Sequence, residues 1–122
     1  MFEFREKELR GYFDYITKHS VQSKFRSFMY KSRSHALICL LLGSISKDEL
    51  GYTFENICSL IPNKLMSRTT ILTILQEGKE LKYFSKSTYL SDKRKQFYKL
   101  SKSPKSRIVS WARDMNRIFN IK

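Results

Sequence analysis

The sequence predicts a mainly helical domain carrying one small β-hairpin, an α+β arrangement. Three observations predict it. Apolar residues recur at helical spacing through most of the 122 residues. One stretch, Tyr83 to Leu100, departs from that spacing with aromatic, hydroxyl and basic residues suited to two strands. Only 4 Gly and 2 Pro are present, too few for a loop-rich chain, while 41% hydrophobic residues are enough for one packed core.

Leu9, Tyr12, Phe13 and Ile16 fall at i, i+3, i+4 and i+7, one face of a first helix. After His19-Ser20 the stripe changes phase. Val21, Phe25, Phe28 and Met29 mark a second helix, with Ser20 placed to cap it. Ser34 is expected to cap the run Ala36 to Leu42, which is apolar on nearly all sides and so belongs at the centre of the core. Gly43 ends that helix. Ser46 to Gly51 reads as a loop or short strand. Thr53 caps a short helix with Phe54, Ile57, Cys58 and Ile61 inward, and Pro62-Asn63 stops it, because Pro lacks an N–H and Asn favours turns. Ser67 caps a longer helix whose buried stripe is Ile71, Leu72, Ile74, Leu75 and Leu81. Short helix, turn, longer helix is the layout of a helix-turn-helix.

Tyr83 to Leu90 reads as a strand, Ser91 to Lys95 as a charged turn, and Gln96 to Leu100 as a second strand with Tyr98 and Leu100 on one face. After Ser103-Pro104 the chain returns to helix. Ile108, Trp111, Ala112, Met115, Ile118 and Phe119 form its apolar stripe, the clearest amphipathic pattern in the chain.

The formal net charge is +13, from 24 Lys+Arg against 11 Asp+Glu. It is unevenly placed. Residues 34–66 carry −1, whereas residues 67–103 carry nine Lys/Arg against three Asp/Glu, a net +6. A folded domain with a localised basic segment has the electrostatic footprint of a nucleic-acid binder. Other classes fall away. The longest apolar run, Ala36 to Leu42, is far short of the roughly 20 residues that span a bilayer, so no membrane partner is expected. Met1 to Glu6 mixes acids and bases and does not read as a signal peptide. Cys39 and Cys58 sit in apolar surroundings at helical spacing and read as reduced core residues of a cytoplasmic protein. Neither forms a metal motif with His19 or His35, which read as structural. There is no Gly-rich phosphate loop and no nucleophile–base pair, so neither enzyme activity, cofactor nor metal is expected.

Helices, helix-turn-helix, basic hairpin and C-terminal helix, in that order, make a winged helix-turn-helix. Two stretches carry a family resemblance. Ser67-Arg68-Thr69-Thr70-Ile71 is similar to the start of a recognition helix. Asp92-Lys93-Arg94-Lys95-Gln96-Phe97-Tyr98-Lys99-Leu100-Ser101 is similar to a wing of the pattern D-x-R, alternating residues, then Leu-Ser. On these the chain resembles the MarR-like transcriptional regulators, including the short staphylococcal accessory-regulator type with one winged domain per protomer. The likeness covers about residues 34–101. Four features depart from the family pattern. Lys82 stands where the recognition helix usually ends in Gly, Gly78 lies inside the helix, the turn from Pro62 to Met66 is longer, and the wing lacks its usual Pro.

The resemblance implies a single domain, residues 1–122, acting as a homodimeric, sequence-specific regulator on double-stranded DNA. Residues 1–33 and 104–122 would be dimerisation segments, and 34–103 the DNA-binding core with its wing at 83–100. Ser67, Arg68, Thr69, Thr70 and Thr73 would face the major groove, where Arg68 suits guanine and the threonines suit bases or phosphates. For Thr69 and Thr70 plain helix capping is an equal reading. Arg94 would enter the minor groove, oriented by Asp92, with Lys86, Lys93 and Lys95 beside it. Leu9, Tyr12, Phe13, Ile108, Trp111, Met115, Ile118 and Phe119 would form the dimer interface, joined by Phe2 and Phe4. The alternative is that these helices pack on their own domain. Many relatives hold a phenolic ligand between the dimer arms, but no residue here marks a small-molecule effector site. Two other functions stay open: a winged-helix module that binds protein, and an RNA binder stacking bases on Tyr83, Phe84, Tyr89, Phe97 and Tyr98.

Overall fold

The structure, a computed structural model, describes residues 6–19, 24–46, 48–89 and 92–119, with backbone alone at 19, 89 and 92–94. Phe2, Phe4, Ser20, Val21, Leu90 and Ser91 lie outside the described residues. So do the side chains of Tyr89, Asp92, Lys93 and Arg94. Six helices and two strands follow in the order α1 (Glu6–His19), α2 (Lys24–Met29), α3 (Arg33–Gly43), α4 (Phe54–Leu60), α5 (Arg68–Glu80), β1 (Phe84–Tyr89), β2 (Asp92–Leu100) and α6 (Lys102–Ile118).

α3 is the hub and packs against α2, α5, α6 and β2. Its cap is Ser32 rather than Ser34: the Ser32 hydroxyl accepts from the His35 N–H at 3.1 Å. Ser34 falls in the helix because the chain turns two residues earlier than the apolar run alone indicates. Ile38, Cys39 and Leu42 are buried on α3, but Leu40 is 39% exposed, so the helix has one wet edge despite its composition. The core is completed by Phe25, Phe28 and Met29 from α2, Ile57 from α4, Ile71, Ile74 and Leu75 from α5, Phe84, Tyr98 and Leu100 from the hairpin, and Ile108 from α6. α2 and α6 therefore belong to the same core as the middle of the chain.

α4 begins with a capping box. The Thr53 hydroxyl accepts from the Asn56 N–H, and the Asn56 side chain accepts from the Thr53 N–H. Ser67 caps α5 by accepting from the Thr70 N–H at 3.1 Å. The buried stripe of α5 is narrower than expected. Leu72 and Leu81 are exposed, because α5 is covered by α3, α4 and β1 on one side only.

The end of α5 explains two sequence oddities together. A Cβ on Gly78 would lie 2.2 Å from the Phe84 ring, so β1 starts against bare helix backbone. Reaching that position takes a tight reversal. The Tyr83 N–H bonds the Gly78 carbonyl at 2.8 Å and the Lys82 N–H bonds the Lys79 carbonyl at 3.0 Å, a Schellman closure. Its pivot, Lys82, sits at φ +66°, the left-handed conformation that favours glycine.

The hairpin is antiparallel, with Phe84 opposite Leu100 and Thr88 opposite Gln96. Its second strand starts at Asp92, four residues before the expected Gln96. The register slips after Thr88, so that Tyr89 pairs with Asp92, and the basic residues expected in a turn lie on an irregular strand end. Tyr98 and Leu100 share the buried face. Tyr52 adds a two-bond bridge to Tyr98, at 2.7 and 3.0 Å, which ties the loop before α4 to the sheet. Gly51 permits it, with φ +120° and the Tyr98 carbonyl oxygen 2.3 Å from where its Cβ would be. α6 starts at Lys102, so Pro104 lies in its first turn, where a missing N–H costs no helical bond.

Gly78→Ala should destabilise the chain by about 1–3 kcal/mol despite the better helix propensity, because the added methyl displaces Phe84. Lys82→Gly should instead stabilise it by about 1 kcal/mol through relief of the left-handed strain. Urea unfolding of both variants checks the pair of opposite signs.

Candidate nucleic-acid interface

α4, the turn at 61–67 and α5 present one continuous surface. The residues of α5 turned to solvent are Thr69, Leu72, Thr73 and Gln76, one helical face, with Lys79 and Glu80 at its end. Thr73 donates to the Thr69 carbonyl at 2.9 Å, and Ser67 donates to Thr70 Oγ1 at 3.0 Å. Thr70 thus serves the cap, whereas Thr69, Thr73 and Gln76 stay exposed. Gln76 was not among the expected contacts, although its spacing of seven from Thr69 places it on the same face.

Arg68 does not stand free at the helix start. Its guanidinium forms a bidentate pair with Glu55 of α4, at 2.6 and 3.2 Å, and lies 5.0 Å from the Phe54 ring centre. The pair is exposed, and the Arg68 guanidinium holds the Glu55 carboxyl below its usual range. Arg68 therefore braces α4 against α5, and direct reading of guanine would first require this fork to open.

On the other side of α5, Glu77 receives Lys31 at 2.6 Å and His35 Nε2 at 2.8 Å, while His35 Nδ1 lies 2.7 Å from Ser32 Oγ. These contacts tie α5 to the start of α3. His35 is buried with its ring edge-on to Phe28. Lys31 first, and then His35, hold the Glu77 carboxyl below its usual range.

The hairpin brings Lys86 and Lys95 to its two strands. Lys86 lies 5.5 Å from the Tyr98 ring centre, and Lys95 is exposed. Asp92, Lys93 and Arg94 are placed by backbone alone. Of the aromatic residues named for base stacking, Phe84 and Tyr98 are buried.

The expected dimer residues divide. Ile108 and Met115 are buried within the chain. Trp111 donates to the Tyr30 hydroxyl at 2.9 Å, and Tyr12 packs edge-on against Phe119 at 5.5 Å. Ile118 lies against Gly11, the methyl 3.4 Å from where a Cβ would be. α6 thus turns its apolar stripe to α1, α3 and Tyr30 of its own chain. A buried Arg26 strengthens that packing, donating to the Tyr15 hydroxyl and to the Arg107 carbonyl, while Tyr15 donates to Asp114 at 3.0 Å. Leu9 and Phe13, 55% and 57% exposed, are left outward.

Cys39 and Cys58 carry free thiols, and burial pushes Cys39 up to about 12, far from thiolate chemistry at neutral pH. Among the described residues no group of three or more His, Cys, Asp or Glu could hold a metal ion, and no helix is long and apolar enough to cross a membrane. Comparison with protein-family models, curated proteins and solved structures finds no match.

Glu77 ionises more readily folded than unfolded. Its stabilisation is therefore complete above the ordinary carboxylate range and is lost as pH falls through its lowered folded value. Glu77→Gln should cost stability at pH 7 and match the native chain more closely near pH 3.5. Urea titrations at the two pH values check this.

Proposed function

We propose that this chain is a winged helix-turn-helix regulator of the MarR-like type, reading duplex DNA through α5 and holding it with the β1–β2 hairpin. The observation that carries the reading is the outward face of α5. Thr69, Thr73 and Gln76 offer neutral hydrogen-bonding groups in a row, free of carboxylates until Glu80. Hydroxyl and amide side chains on one helical face suit the donor–acceptor pattern of the major groove, and Gln pairs well with adenine. The hairpin follows directly, with Lys86, Lys93, Arg94 and Lys95 in its sequence as the phosphate and minor-groove contacts. In this reading Arg68 supports the helix-turn-helix as a brace, and base reading moves one turn along, to Thr73 and Gln76.

A homodimer fits the same proposal in altered form. With Ile108 and Met115 buried in the protomer, a two-fold contact would use Leu9 and Phe13 of α1. A second reading, a protein-binding module, draws on Leu60, Leu65 and Leu72, which are exposed on or beside the helix-turn-helix. The burial of Phe84 and Tyr98 counts against stacking on single-stranded RNA.

The deciding experiment selects preferred sites from random duplexes and measures binding across a salt series. Thr73→Ala with Gln76→Ala should weaken the preferred site by about 1–3 kcal/mol per lost base contact and leave the salt slope unchanged. Arg94→Ala should lower the slope by about one. No preferred duplex, together with capture of a protein partner lost on Leu72→Ser, would reject the DNA reading. Phe13→Glu should convert a dimer to the 14.6 kDa protomer in light scattering, and a protomer mass for the native chain rejects the dimer.

A further inference from the structure

Three adjoining depressions run around the first half of α6. The first lies between α6 and the ends of α3 and β2, and is lined by Lys99, Lys102, Lys105 and Arg113. The second shares Lys102, Ser106 and Ser110 with it and adds Arg107. The third shares Ser103 and Arg107 with the second, and adds Lys24 from α2 and Lys82 from the turn after α5. No Asp or Glu lines any of the three among the described residues. Cations separated by up to 89 positions in sequence are gathered here by folding alone.

Some cations elsewhere in the chain are held in ion pairs. Arg68 and Lys31 are paired with carboxylates. Lys24, Lys82, Lys102, Arg107 and Arg113 have no carboxylate partner among the described residues, and all five are exposed. Lys105 is anchored differently. Its ammonium donates to the Gly43 carbonyl and, at 2.8 Å, to the Ile45 carbonyl, which holds one charge rigidly at the end of α3.

We infer that this belt around α6 binds the phosphodiester backbone of duplex DNA without regard to sequence, as a surface separate from the outward face of α5. Three features point to that ligand. The five exposed cations are uncompensated positive charge, which gains by releasing counterions from a polyanion. Ser103, Ser106 and Ser110 interleave hydroxyl donors with the cations, as phosphate contacts require. From Lys102 to Arg113 the helix runs about 16 Å, comparable with about five base-pair steps along a duplex axis. A lipid surface is a poorer fit. Val109 is the large hydrophobic exposed on α6, whereas helices that lie in membranes turn Trp, Phe or Leu outward. Trp111 is instead held against Tyr30.

The test uses the full chain, a random-sequence duplex and a salt series. The triple variant Lys102→Gln, Arg107→Gln, Arg113→Gln changes exposed positions only and should keep its Tm. Its slope of log affinity against log salt should fall by about 2.7, so that between 50 and 200 mM salt it loses about forty-fold less affinity than the native chain. Lys24→Gln with Lys82→Gln should lower the slope by about 1.8. Thr73→Ala with Gln76→Ala should leave the slope intact while removing sequence preference, so a failure of the belt and a failure of the α5 reading are distinguishable. An unchanged slope in both belt variants overturns the inference. So does a native chain with no duplex affinity at 50 mM salt. Phosphatidylserine vesicles run in parallel separate DNA from lipid. Loss of vesicle binding in the triple variant with duplex binding unchanged would assign the belt to lipid and overturn the inference as well.

Discussion

The contact between Phe84 and the bare backbone at Gly78 governs how α5 and the hairpin meet. A ring can sit that close to a helix only where no Cβ stands in the way. With Phe84 seated there, β1 leaves α5 at a set angle. Tyr98 and Leu100 on β2 then fall onto the core, and Tyr52 is brought within bridging distance of the strand. The left-handed Lys82 is the local cost of this corner, and the two backbone bonds of the Schellman closure offset it.

Polar contacts then position what packing has assembled. α3 is tied at its start through His35 and Glu77 to α5, and at its end through Lys105 to α6. The buried Arg26 joins α2 to α1 through Tyr15 and to α6 through the Arg107 carbonyl. Burying a guanidinium is costly unless its donors are satisfied, so this site holds the terminal helices in one arrangement. The exposed Glu55–Arg68 fork adds a weaker link between α4 and α5 at the surface. One consequence is electrostatic. Two cations beside α5, Lys31 and Arg68, are held in pairs, while Lys102, Arg107 and Arg113 of α6 are exposed.

Much of the fold was legible because it follows from local rules. Thr53 and Ser67 cap their helices because hydroxyls before an apolar run satisfy the first free N–H groups. Alternation in Gln96 to Leu100 correctly put Tyr98 and Leu100 on one face. The errors fell where periodicity was asked to decide coverage. Leu72 and Leu81 have the spacing of buried residues, but among the described residues no element lies over them. The strand boundary at Asp92 was missed because charged residues at an irregular strand end resemble a turn.

By itself the sequence determined the order of elements, the apolar centre on α3, the helix starts at Thr53 and Ser67, and the total charge. Those depend on each residue and its near neighbours. Tertiary structure decided which side chains were already occupied. Arg68 was committed to Glu55, thirteen positions away, and Ile108 and Met115 of α6 were buried within the chain itself. It also decided where charge collects, since Lys24, Lys82 and Arg107 line one depression only once the core has closed. Spacing along a chain fixes a residue's face, whereas its partners are fixed by which elements the core brings together.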